Sequence, residues 1–132
     1  MIRLLDTNIC IYFLNRSSDN IIAQFKKLSP SEIKLSAITV AELFFGVEKS
    51  KAKRRNYQMV ESFVSTFETI PFDEKCSKIY AKIRVSLEKA GNPIGPMDLL
   101  IASISLAHNF ILVTNNTKEF NRVKKLKSEN WL

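Results

Sequence analysis

A chain of 132 residues is large enough for one hydrophobic core and too small for two, so residues 1–132 are read as a single domain. Apolar residues at 45% and charged residues at 25% exclude a disordered or fibrous chain. Twenty Lys and Arg against 13 Asp and Glu leave a net charge of +7, which favours an anionic partner without naming it.

The apolar run Ile2 to Leu5 predicts a buried strand that stops at Asp6. Asp6-Thr7-Asn8 then supplies helix-start chemistry for the run Ile9 to Leu14. Ile21, Ile22, Phe25 and Leu28 share one helical face, and Ser29-Pro30-Ser31 breaks it. Ile33 to Ser36 predicts the second strand, and Thr39 to Val47 a further helix. Lys49, Lys51, Lys53, Arg54 and Arg55 follow, and this basic run reads either as a solvated connection or as a rim that meets phosphate.

Tyr57, Val60, Val64 and Phe67 predict another amphipathic helix, and Thr69 to Phe72 a short strand whose Pro71 places it at a sheet edge. Asp73 opens a long helix with Cys76, Ile79, Tyr80, Ile83 and Leu87 on one face, and Ala90-Gly91-Asn92 stops it. The rigid loop Gly91 to Pro96 delivers a helix beginning near Asp98 that is apolar on nearly all sides, the most buried of the chain. Phe110 to Thr114 is the last strand, and Trp131 in the basic tail is expected to pack back on the body.

Alternation of strands and helices predicts a parallel sheet covered on both faces. In such sheets ligands bind beyond the carboxyl ends of the strands. Each polar junction, around Asp6, Glu42, Asp98 and Asn115-Asn116, falls at such an end. Cys10 and Cys76 belong to no CxxC pattern and read as buried thiols in a reducing compartment. No cleavable leader and no apolar run of membrane-spanning length is visible, so a cytoplasmic location without membrane contact is expected.

The one histidine, His108, lies near a helix end, and its solitude excludes multi-histidine zinc sites and paired-histidine catalysis. No Gly-x-Ser-x-Gly elbow supports a serine nucleophile. Chemistry in this chain therefore falls to carboxylates. Taken singly, each acid reads as a cap. Thr39-Val40-Ala41-Glu42 matches a capping box, Asp98 follows a helix-opening Pro96, and Asp6 precedes a helix. Convergence would change that reading, because two like charges about 4 Å apart repel by about 4 kcal/mol at an effective dielectric of 20. Such a cluster needs a cation or a shared proton, and an all-oxygen ligand set selects magnesium, or manganese in its place.

Leu5-Asp6-Thr7-Asn8, the Thr39-x-x-Glu42 helix, Ile94-Gly95-Pro96-x-Asp98 and Leu112-Val113-Thr114-Asn115-Asn116-x-x-Glu119 together resemble the PIN-domain family, specifically the VapC toxins of bacterial toxin–antitoxin pairs. The resemblance spans nearly the whole chain. It implies a three-layer α/β/α sandwich and a magnesium-dependent endoribonuclease. By position, Asp6, Glu42 and Asp98 match the family's acidic metal ligands, with Thr7, Asn8 and Thr114 in support. The fourth acidic position of many members is Asn116 here, with Glu119 one helical turn later.

The resemblance further implies a homodimer neutralised by a VapB-type antitoxin. It also implies promoter DNA bound through that complex, and an RNA substrate, the anticodon stem-loop of a transfer RNA. Lys49, Lys51, Lys53, Arg54, Arg55, Arg84 and Lys118 are the expected phosphate contacts. The alternatives are a metal-dependent DNA nuclease and a non-catalytic nucleic-acid or partner-binding module whose acids only cap.

Overall fold

The computed structural model describes all 132 residues and contains no cis peptide. Five short strands, β1 (Arg3–Leu5), β2 (Ile33–Ser36), β3 (Glu68–Ile70), β4 (Ile111–Val113) and β5 (Lys127–Glu129), form one sheet in the order β3-β2-β1-β4-β5. Every pairing is parallel, with Leu5 level with Leu35 on one side and Val113 on the other.

Seven helices connect them: α1 (Thr7–Leu14), α2 (Asp19–Lys27), α3 (Ala37–Lys49), α4 (Lys53–Thr66), α5 (Glu74–Lys89), α6 (Pro96–His108) and α7 (Thr117–Phe120). The period-2 alternation of the central strands decides which helices cover which face. Leu4 and Leu112 point into one core with Leu87, Leu99, Ile101 and Ile104 from α5 and α6. Leu5, Leu35 and Val113 point into the other with Ile9, Ile21, Leu43 and Phe63 from α1 to α4. The result is the expected α/β/α sandwich. No helix is long and apolar enough to cross a membrane.

Several boundaries differ from the sequence expectation. Helix α3 opens at Ala37, not Thr39, because the Ser36 hydroxyl caps it by accepting the Thr39 N–H at 3.0 Å. Helix α4 opens at Lys53, so it absorbs three of the five cations of the basic run, Lys53, Arg54 and Arg55. Helix α6 opens at Pro96, which needs no N–H bond in the first turn. The third strand is Glu68–Ile70, at the sheet edge, and Pro71 lies just outside it.

The fifth strand, in the basic tail, lies outside the expected set. Lys127-Ser128-Glu129 has no apolar period, and it is held instead by parallel pairing to β4 and by a two-pronged ion pair. Arg3 Nε and Nη2 donate to the two Glu129 oxygens at 3.0 and 3.1 Å, which lowers the Glu129 pKa. Trp131 follows and is buried as expected, its ring edge-on to Phe25 at 5.7 Å. Cys10 and Cys76 are buried free thiols, and His108 ends α6 stacked on Phe110.

Candidate active site

The sheet order places β1 at the centre, with the chain moving outward to β2 and β3 before returning to β4 on the other flank. That reversal leaves a crevice at the carboxyl ends of β1 and β4. Asp6 closes β1 there, anchored by its own N–H to the Val113 carbonyl at 2.8 Å. Its Oδ1 accepts the Thr7 N–H at 2.8 Å, and its Oδ2 accepts the Thr114 hydroxyl at 2.8 Å. Both oxygens of this 4%-exposed carboxylate are thus held by the chain.

Glu42 comes from the second turn of α3 and does not act as a capping-box residue. Ser36 already fills that role, so Glu42 is released to the crevice. The Thr7 hydroxyl donates to Glu42 Oε1 at 2.6 Å, and it lies 3.0 Å from the fully buried Thr39 hydroxyl. Because Thr7 spends its proton on Glu42, Thr39 must be the donor to Thr7. Thr39 therefore belongs to the site, although as a sequence it reads as a cap. Replacing it by Val keeps the shape and removes that donor. Thr39→Val is expected to lower activity about tenfold, as loss of an outer-shell partner does, with folding intact by circular dichroism.

Asp98 sits in the first turn of α6, where neither Gly95 nor any side chain caps the helix. The Asn116 side-chain amide donates to Asp98 Oδ2 at 3.2 Å and to Glu119 Oε2 at 3.0 Å, so these two carboxylate oxygens lie within the reach of one nitrogen. The Asn116 backbone N–H donates to the Thr114 hydroxyl oxygen at 2.9 Å, which fixes that hydroxyl's proton on Asp6. One continuous network thus joins Asp6, Asp98 and Glu119. Glu119, one turn past Asn116 on α7, occupies the place beside Asp98.

No Lys or Arg forms an ion pair with Asp6, Glu42, Asp98 or Glu119. The electrostatics follow. Burial raises the Asp6 pKa against the two hydrogen bonds that oppose it, and the Glu42 charge adds to the rise. Asp98 is pushed up to about 7, chiefly by burial, then by the charges of Asp6, Glu119 and Glu42. The four acids feel one another. They do not, however, form a ready-made cage: no three carboxylates are grouped closely enough to enclose an ion by themselves. An all-oxygen, anion-rich crevice that lacks a full protein cage suits a hard divalent cation that keeps several waters and takes one or two carboxylates.

The other expected residues divide. Asn8 is exposed on the first turn of α1, and its side chain makes no hydrogen bond to the cluster. Arg84 is engaged by Glu88 at 3.1 Å and by the Tyr80 hydroxyl at 2.8 Å, on α5 beside the loop that leads into α6. Lys49, Lys51, Lys53, Arg54, Arg55 and Lys118 are all exposed and free of ion pairs.

Known proteins share this fold and much of this sequence. The PIN domain family model matches residues 3–126. Ribonuclease VapC2 of Rickettsia felis is 46% identical over 132 residues, 99% of this chain and 98% of that protein. The tRNA(fMet)-specific endonuclease VapC of Shigella flexneri is 37% identical over 128 residues, 97% of this chain and 96% of that one. A crystal structure of VapBC2 from Rickettsia felis bound to a DNA fragment from their promoter superposes with a TM-score of 0.92, at 43% identity and 100% coverage of both chains. By fold, by the order of its acidic junctions and by these likenesses, the chain belongs to the PIN-domain family, among its VapC-type ribonucleases.

Proposed function

We propose that this chain is the toxin of a toxin–antitoxin pair, a magnesium-dependent endoribonuclease whose site is Asp6, Glu42, Asp98 and Glu119. The observation that carries the reading is the convergence of these acids at one strand-end crevice with no Lys or Arg to neutralise them. A protein of marginal stability does not retain such repulsion for capping, since Asn and Ser cap as well as Asp.

Asp6 and Asp98 would hold the ion, with Glu42 as a further ligand or as the group that orients water. Magnesium bound there, or manganese in its place, would polarise the phosphodiester and lower the pKa of a water. The chain's own contribution is positional. Thr7 and Thr114 keep Asp6 aimed into the crevice. Thr39 and Thr7 fix Glu42 through Oε1, leaving Oε2 without a partner in the chain and free to accept a proton from attacking water. Asn116 keeps Asp98 and Glu119 together without adding a fifth charge.

The relatives' names extend the reading to this chain's biology. On those names we assign it a VapB-type antitoxin as partner, promoter DNA bound through that complex, and transfer RNA as substrate. A homodimeric state and a cut in the anticodon stem-loop are what the family resemblance adds. The test is cleavage mapping on total RNA with wild type and Asp98→Asn side by side, with matched DNA as a control. Magnesium-dependent cuts bearing 5′-phosphate and 3′-hydroxyl ends, made by wild type alone, are expected. Cyclic phosphate ends would instead mean attack by the RNA's own 2′-hydroxyl, and equal cutting of DNA would make the chain a general nuclease.

A further inference from the structure

Helix α3 leaves the acidic crevice carrying one outward stripe, Glu42, Phe45, Gly46 and Lys49, spaced at helical intervals. Phe45 is 63% exposed and belongs to neither core, and Lys49 Nζ sits 5.2 Å from its ring centroid. It lies three residues from Glu42, about 4.5 Å along the axis, a distance comparable to one nucleotide step. Gly46 stands beside it in mid-helix, where glycine is less stable than alanine. A Cβ there would meet nothing within 4 Å, so the fold itself gains nothing from its absence. The stripe then runs into Lys51, Lys53, Arg54 and Arg55, exposed around an open concavity and without acidic partners.

We propose that Phe45 is a stacking platform for an unpaired RNA base next to the scissile phosphate. Lys49 and the basic connection hold the flanking phosphates, and Gly46 lets the strand pass close to the helix backbone. An exposed aromatic ring among unpaired cations is the composition that binds single-stranded nucleic acid, because every base has a face to stack. A protein helix would be better served by the adjoining apolar groove of Ile11, Leu14, Leu43 and Met59, which Glu42 and Gly46 border but Phe45 and Lys49 do not. Lys49 over the Phe45 ring and the four cations that follow α3 favour a polyanion instead. This inference rests on the ribonuclease reading above.

The experiment uses an oligoribonucleotide spanning the cleavage site mapped on total RNA. Its binding is measured by fluorescence anisotropy in the Asp98→Asn background, which prevents turnover. Phe45→Ala and Phe45→Leu are each expected to weaken binding about tenfold or more, and Phe45→Trp to restore it. An abasic replacement next to the cleavage site should weaken binding to the parent protein by a similar factor, and should cost Phe45→Ala nothing further. Gly46→Ala should raise Tm by about 2–5 °C while weakening RNA binding, a split that a purely structural residue would not give.

Unchanged binding in Phe45→Ala overturns the proposal, as does rescue by Leu equal to that by Trp. Loss of affinity for a co-expressed antitoxin with RNA binding intact reassigns the face to the protein partner and overturns it too. If wild type cuts no RNA, or Asp98→Asn cuts as well as wild type, the ribonuclease reading fails first and takes this inference with it.

Discussion

Asp6→Asn is expected to reduce RNA cleavage by more than about 100-fold, beyond the 10- to 100-fold typical of an outer-shell change, while leaving the metal-free fold as stable as wild type or slightly more so. The amide is the same size and keeps the local geometry. Its oxygen still accepts the Thr7 N–H, and its nitrogen turns toward the Thr114 hydroxyl oxygen. What disappears is the negative charge. In the folded chain that charge is buried and faces Glu42, which is why the Asp6 pKa is raised. A raised carboxylate pKa means that ionisation at neutral pH costs folded-state stability, so its removal is neutral or favourable. The same substitution should abolish the rise in Tm that magnesium produces in wild type. A thermal melt with and without magnesium, beside a cleavage assay, reads both effects. If Asp6 only capped α1, cleavage would survive, since Asn caps as well as Asp. Retention of activity within a few fold would therefore reduce the acidic crevice to a set of helix starts.

The acids at the element junctions are legible in the sequence where several helix boundaries are not, and the reason is physical. Leu4-Leu5-Asp6 announces a buried strand ending at an acid whatever follows, because burial on both faces demands apolar residues at successive positions. The structure sends Leu4 and Leu5 to opposite cores accordingly. Glu42 stands out by its position within a motif, while its local pattern, Thr39-x-x-Glu42, points to the capping box. Only the structure shows Ser36 taking the cap, because a hydroxyl at the strand's last residue competes equally well for the Thr39 N–H. Thr39, fully buried and donating to Thr7, went unseen for the same reason.

The strand β5 left no periodic trace. Its backbone is specified by pairing with β4, and its Glu129 by Arg3, 126 residues away, and no local window contains that ion pair. Asn116 is the subtler case. As a letter it is a missing acid. In space its amide spans two carboxylates, so the departure from the family's pattern becomes a tether between Asp98 and Glu119. The basic run was open between solvated connection and phosphate rim. Its residues are exposed and free of ion pairs, which both readings require.

Asp98 makes a second prediction with a sign that metal reverses. Its pKa is raised to about 7 in the fold against an ordinary 3.8. Between those values the folded chain binds more protons than the unfolded one, so metal-free stability must fall as pH rises through this window. Asp6, also raised, pushes the same way. Glu129, Asp73 and Glu32 are lowered below their ordinary values, so the stability they contribute is lost only in acid, below the window. The metal-free protein should therefore melt several degrees higher near pH 5 than near pH 8, and Asp98→Asn should flatten most of that slope. Saturating magnesium works in the opposite direction, because the ion takes only the ionised carboxylate and so competes with protons. The magnesium-induced rise in Tm should be large near pH 8 and small near pH 6 in wild type, and absent at both in Asp98→Asn. A melt series over pH, with and without the ion, separates these cases. A metal-free stability that climbs from about pH 5 to about pH 8 would mean that Asp98 is solvated and alone rather than pressed against Asp6 and Glu119.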